Sequence, residues 1–112
     1  RVGRVLEVHD FPKANNPPYR LIIDFGEYGI KKSSAQITKL YEKEDLLNRQ
    51  AIAVTNFPPK QIANFISECL VLGVVLGGKE VVLLQPDREV KEGYRVLKSV
   101  ITIDYQYCII YC

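Results

Sequence analysis

Between Tyr19 and Ile37 the chain spells out a β-hairpin, and this segment limits the folds open to it. Tyr19, Leu21, Ile23 and Phe25 share one face while Arg20 and Asp24 share the other, the period-two pattern of a half-buried strand. Gly26-Glu27-Tyr28-Gly29 follows as a turn, and Ile30 to Ile37 reads as the returning strand. The rest of the chain repeats the theme of short strands and punctuation. Val2 to Val8 is a β-branched run in which Val5 and Leu6 break the alternation, and Gly3 is the expected site of a bulge or tight bend. Ala51 to Phe57 is a strand that Pro58-Pro59 ends, since neither proline donates a ladder hydrogen bond. Ile66 to Leu76 is strand-like, Gly77-Gly78 turns, and Glu80 to Gln85 is a further strand. One helix is predicted, Thr38 to Asn48, with Leu40, Tyr41, Leu46 and Leu47 as its apolar side.

A chain of 112 residues is one domain's worth. Its net charge of +2 excludes a histone-like polycation but leaves a local basic patch open. No leader pattern and no apolar run of spanning length is present, so a cytoplasmic location without membrane insertion is expected. The chain starts at Arg1 without Met, which reads as a trimmed or incomplete terminus. Three cysteines, Cys69, Cys108 and Cys112, are an odd count that argues against a disulfide framework. The single histidine, His9, lies far from them in sequence, so neither a structural metal nor a cofactor is expected. No nucleophile has a partnered base, His9 has no partner that spacing provides, and neither a phosphate-binding loop nor a dinucleotide fingerprint occurs. Asp87-Arg88-Glu89 reads as a salt-bridged turn, and the chain as a binding module without catalysis.

The fold class that follows is all-β: a closed or partly closed barrel of five or six strands with one short helix. Closure removes sheet edges that a small chain cannot leave open. A five-stranded OB-fold is the natural candidate, and an SH3-like barrel or a small sandwich satisfies the same pattern.

Three segments carry a resemblance: Asp24 to Thr38 (DFGEYGIKKSSAQIT), Asn56 to Ile62 with Phe65 to Gly73 (NFPPKQI and FISECLVLG), and Leu83 to Val90 (LLQPDREV). Together they resemble the CsaA-type proteins, export-related chaperones within the wider family of tRNA-binding domains. The resemblance covers Val2 to Arg95. It implies an OB-fold, a homodimer, tRNA as partner, and affinity for unfolded or exported polypeptides as the alternative function. Residues 1–95 are then the OB-fold domain and 96–112 a C-terminal extension. Family members usually begin with a short helical segment that aids the dimer, and they usually stop soon after the position of Gly93. In the extension, Ile101, Ile103, Tyr105, Tyr107, Ile109 and Tyr111 alternate with polar residues, which reads as one extra amphipathic strand.

Site residues are expected in three places. Lys31, Lys32 and Ser33 follow a tight turn, where they suit phosphate and sugar contacts or, on the structural reading, a solvated edge guarded by lysines. Asn56 and Lys60 flank the diproline turn and offer a base-edge group and a phosphate contact. Ser67, Glu68 and Leu70 match the family's Ser-x-x-Met stretch with leucine for methionine; Ser67 is a candidate RNA contact, Glu68 its orienter or that of Lys60, and Leu70 a core residue on the structural reading. Phe65 and Tyr28 are candidate stacking or groove residues, while Tyr19 and Phe57 are expected in the core.

Overall fold

The computed structural model describes residues 1–10, 18–62, 65–97, 99–101 and 108–110, with side chains described for residues 1–10, 18–59 and 66–97. The Pro- and Asn-rich run from Phe11 to Pro18, which reads as a loop, lies outside the described residues except for Pro18, as does most of the expected tail strand.

A five-stranded antiparallel sheet forms the body, in the order β3-β2-β1-β4-β7. Its strands are β1 (Val2–Asp10), β2 (Tyr19–Asp24), β3 (Ile30–Ala35), β4 (Gln50–Val54) and β7 (Leu70–Val71). Two ribbons complete the body: β5 (Lys60–Ile62) with β6 (Phe65–Ser67), and β8 (Gly73–Val75) with β9 (Val81–Leu83). A third ribbon, β10 (Ser99–Ile101) with β11 (Cys108–Ile110), lies in the extension. The expected hairpin is present: β2 and β3 pair in register from Tyr19↔Ala35 to Asp24↔Ile30 across a single 3-10 turn at Gly26–Tyr28.

Closure of the sheet runs through the segment between β6 and β7. At one edge β7 pairs with β4, Val54 opposite Leu70. Just before β7 the same segment bonds the opposite edge, β3: the Glu68 N–H donates to the Lys32 carbonyl at 2.8 Å, and the Ser34 N–H donates to Ser67 Oγ at 3.2 Å. Both edges of the sheet are thereby satisfied by one segment, which gives an OB-like β-barrel. Inside sit Val5, Leu21, Ile23, Phe25, Leu46, Ala53, Cys69 and Leu83, all buried. Tyr41 holds the region before the helix against the barrel: its carbonyl accepts from the Tyr19 hydroxyl at 2.9 Å, and its own hydroxyl accepts from the Leu83 N–H at 3.0 Å.

Several expectations are corrected. The bulge lies between Val5 and Glu7, not at Gly3. Leu6 is the extra residue, which explains the adjacent apolar pair: Val5 is buried while Leu6 faces solvent. Gly3 serves close packing, because a Cβ there would sit 2.5 Å from Ile23 Cγ2 and 2.7 Å from the Phe25 ring. The helix shrinks to one turn, α1 (Lys43–Leu46), started where the Asp45 carboxylate accepts from the Glu42 N–H at 2.9 Å. Only Leu46 of that turn is buried, too little apolar surface to offset the nucleation cost of a longer helix. Leu40 and Leu47 are exposed. The strand-like run Ile66 to Leu76 is three pieces, interrupted where residues 68–69 bond β3 and where Leu72 bonds the Ile52 carbonyl. The expected single tail strand contributes to a two-stranded ribbon, Val100 opposite Ile109. The 87–89 turn carries the expected ion pair, Arg88 with Asp87 at 3.5 Å, and Glu89 pairs outside it with Arg4.

The C-terminal part of the barrel domain is tied to its start. Val2 bonds two successive residues, its N–H donating to the Tyr94 carbonyl (2.9 Å) and its carbonyl accepting from the Gly93 N–H (2.7 Å). Arg4 bonds Glu92 at 2.6 Å and also Glu89. Gln50 donates to the Val90 carbonyl and accepts from the Val90 N–H. No described helix is long and apolar enough to cross a membrane.

Candidate nucleic-acid interface

Strand alternation assigns every second residue of β2 and β3 to the outside. Leu21, Ile23, Ser33 and Ala35 are buried, so Arg20, Ile22, Lys32 and Ser34 face outward and are half-buried. Register then aligns them with β1. One row across the sheet is His9, Arg20 and Ser34; the next is Glu7, Ile22 and Lys32. The result is a small outer platform with two permanent cations, one histidine, one carboxylate, a hydroxyl and an isoleucine. His9 Nε2 and Glu7 Oε1 are 2.9 Å apart, the partner that spacing alone did not reveal, and both side chains are largely solvated. Arg20 Nη2 donates to the Asp10 carbonyl at 3.4 Å, which holds the side chain along the sheet. A flat face of this composition can meet phosphates through its cations and lay an apolar centre against a sugar or base.

The expected site residues divide. Lys32 belongs to the platform. Lys31 is one residue away and so on the opposite side of β3, half-buried. Ser33 and Ser67 are fully buried, so neither presents a hydroxyl at the surface. Ser67 closes the barrel instead: its Oγ accepts from the Ser34 N–H and donates to the Cys69 carbonyl at 3.0 Å, while Ser33 Oγ donates to the Ser34 carbonyl at 3.5 Å. Glu68 orients neither Ser67 nor Lys60 by a described bond; its Oε1 accepts from the Lys32 N–H at 3.1 Å. A carboxylate thus fixes the backbone of the platform's lysine. Leu70 is not core, being 39% exposed on the outer face opposite Val54. Tyr28 is exposed, and the Arg1 guanidinium lies 3.7 Å over its ring, covering one stacking face. Tyr19 is buried as expected, whereas Phe57 is only half-buried. Lys60 and Phe65 hold register positions in the β5–β6 ribbon, Lys60 opposite Ser67 and Phe65 opposite Ile62, and their side chains lie outside those described.

Asn56 belongs to a different feature, a groove of about 700 Å³ on the outer side of β4. Ile52, Val54, Leu72 and Val96 line it, together with Arg1 and Arg95. Sequence reasoning missed Arg20, His9 and this groove. The alternation signal for Arg20 was present; its pairing with His9 and Lys32 needed the register.

Cys69 lies under the seam, buried, with Sγ 3.9 Å from the Lys32 carbonyl. Burial pushes its thiol up from 9.0 to about 11, against a smaller lowering by a hydrogen bond with Ser33 and by the charge of Lys31. No group of three or more potential metal ligands occurs among the described residues.

Residues 1–95 match the family model described as "Putative tRNA binding domain". The chaperone CsaA from Bacillus anthracis superposes with a TM-score of 0.82 at 53% identity, covering 86% of this chain and 87% of that one. CsaA from Picrophilus torridus gives 0.79 at 55% identity, over 86% and 88%. Among curated sequences, methionine–tRNA ligase of Thermococcus onnurineus is 36% identical over 96 residues, which is 86% of this chain and 13% of the ligase. The chain therefore corresponds to about an eighth of the length of such ligases, and to most of a CsaA chain. It belongs to the tRNA-binding-domain family and, within that family, is CsaA-like.

Proposed function

We propose that this chain is a non-catalytic tRNA-binding module of the cytoplasm whose RNA surface is the outer platform of β1–β3. The observation that carries the reading is the cross-strand alignment of Arg20 and Lys32 beside His9 and Ser34. Lys31, on the other side of β3, Lys60, opposite Ser67 in the β5–β6 ribbon, and Asn56, beside the groove at β4, are further candidate contacts. Such a surface recognises backbone and shape, its cations meeting phosphates and its isoleucine lying against a sugar or base. Residues 1–95 are the module and 96–112 an extension of it. Two copies pair in this reading, with the exposed strip Val74, Val82 and Leu84 as the apolar surface that supports association.

The test is anisotropy of labelled bulk tRNA titrated at several salt concentrations. Each phosphate contact contributes roughly 0.7–0.9 to the slope of log affinity against log salt. Replacing Arg20 and Lys32 by alanine should weaken binding to all tRNA species alike and flatten the slope by about 1.4–1.8. An unchanged slope in a folded double variant rejects this platform.

The apolar groove favours a second reading, capture of unfolded or exported polypeptide. That binding should survive salt and leave tRNA binding unaffected.

A further inference from the structure

β3 stands at the edge of the five-stranded sheet, with β2 as its neighbour. On the other side of β3 the platform residues are held by two consecutive side chains. The Ser34 N–H donates to Ser67 Oγ at 3.2 Å, and the Lys32 N–H donates to Glu68 Oε1 at 3.1 Å. The Lys32 carbonyl accepts from the Glu68 N–H at 2.8 Å, so Glu68 satisfies both backbone groups of Lys32.

In an antiparallel pair a strand carbonyl would receive each of these N–H groups. Here side-chain oxygens take that place. Bonds between backbones tolerate any residue but proline, whereas bonds to side chains depend on residue type. The two side chains also hold different things. Ser67 holds Ser34, which is uncharged, and Glu68 holds the lysine.

The charge of Glu68 runs against a phosphate-binding face, because a carboxylate beside Lys32 opposes an approaching anion. Its length serves that face. An acceptor oxygen has to reach the Lys32 N–H from residue 68. Glu and Gln both carry one at the right distance along the side chain, Asp is one methylene shorter, and Ala has none.

We infer that Glu68 is a positioning residue of the RNA surface: its bond to the Lys32 N–H fixes the strand edge so that the Lys32 ammonium meets a phosphate. The inference rests on the platform reading given above. It makes acceptor reach, not charge, the property required at position 68.

The test is the salt dependence of tRNA binding in Glu68→Gln, Glu68→Asp and Glu68→Ala, with the Arg20→Ala, Lys32→Ala double variant alongside. Glu68→Gln keeps the acceptor and removes the charge. It should bind at least as tightly as wild type, with no loss of slope. Glu68→Asp keeps the charge and loses the reach. Its slope should fall by about 0.7–0.9, the share of one phosphate contact, and Glu68→Ala should match it. Amide hydrogen exchange reads the bond itself: Lys32 N–H should exchange slowly in wild type and Glu68→Gln, and faster in Glu68→Asp. A merely structural role would lower the urea midpoint of Glu68→Asp and leave its slope at the wild-type value, which overturns the inference. Equal tightening in Glu68→Gln and Glu68→Ala also overturns it, since charge alone would then act. If the double variant flattens the slope and Glu68→Asp does not, only this inference falls; if the double variant keeps the slope, the platform falls and the inference with it. Should Glu68→Ala fail to fold, Glu68→Asp carries the comparison.

Discussion

The outer surface of β1–β3 and the outer surface of β4–β7 are built by one rule and end with opposite chemistry. In both, alternate residues turn away from the core. On β1–β3 these are Glu7, His9, Arg20, Lys32 and Ser34 around a single Ile22. On β4–β7 they are Ile52, Val54, Leu70 and Leu72. Barrel formation requires only that the inward residues be apolar. The outward set is free to vary, so the contrast between the two faces reports on what each one meets. A cationic face suits a polyanion and loses affinity with salt; an apolar face suits a hydrophobic partner and does not.

The contrast breaks most severely when the support beneath both faces is removed. Phe25 is fully buried, and its ring lies where a Cβ on Gly3 would collide with it. Phe25→Ala should cost about 3–5 kcal/mol, read as a fall in the urea midpoint. It should impair salt-sensitive and salt-insensitive binding together, whereas Lys32→Ala or Val54→Asp should each impair one kind. If Phe25→Ala spared either face, the two would not share a core.

Much of the barrel was legible because period-two alternation is strong where one face is buried. Tyr19 to Phe25 shows this: four inward residues, all buried. The helix was overcalled because Leu40 and Leu47 suit a helix pattern, but the barrel offered a seat only for Tyr41 and Leu46. The site was less legible. Lys31, Lys32 and Ser33 are consecutive in sequence and scattered in space, because adjacent strand residues point to opposite sides. Ser33 and Ser67 looked like surface hydroxyls, and nothing local marked Ser67 as the seam; its role comes from a contact with Ser34, over 30 residues away in sequence. Arg20 was visible as an outward residue, yet only pairing to β1 and β3 gave it neighbours.

Ser67 separates a seam role from a contact role. Its hydroxyl accepts from the Ser34 N–H and donates to the Cys69 carbonyl, both beside the platform strand. Ser67→Ala strands a buried donor and should cost about 1–3 kcal/mol of stability by urea unfolding. Under conditions where the variant stays folded, the salt slope of tRNA binding should not change. A slope reduced with stability intact would return Ser67 to the RNA surface and blur the line between seam and face.

Cys69 gives the finest probe of the seam, through pH. The folded thiol is pushed up from 9.0 to about 11 by burial, so folding favours its neutral form. A raised folded value means this contribution is complete below 9.0 and is lost as pH climbs toward about 11. Tyr19 is shifted in the same direction, also by burial, so wild type alone would mix the two. Cys69→Ala keeps Tyr19 and removes only the thiol. Urea midpoints of wild type should therefore fall more steeply than those of Cys69→Ala between pH 9.0 and about 11, and run parallel below it. Parallel curves throughout would mean that water reaches the thiol, and that the segment joining the polar edge of the barrel to its apolar one is open where the hydrogen bonds of Ser67 and Glu68 say it is shut.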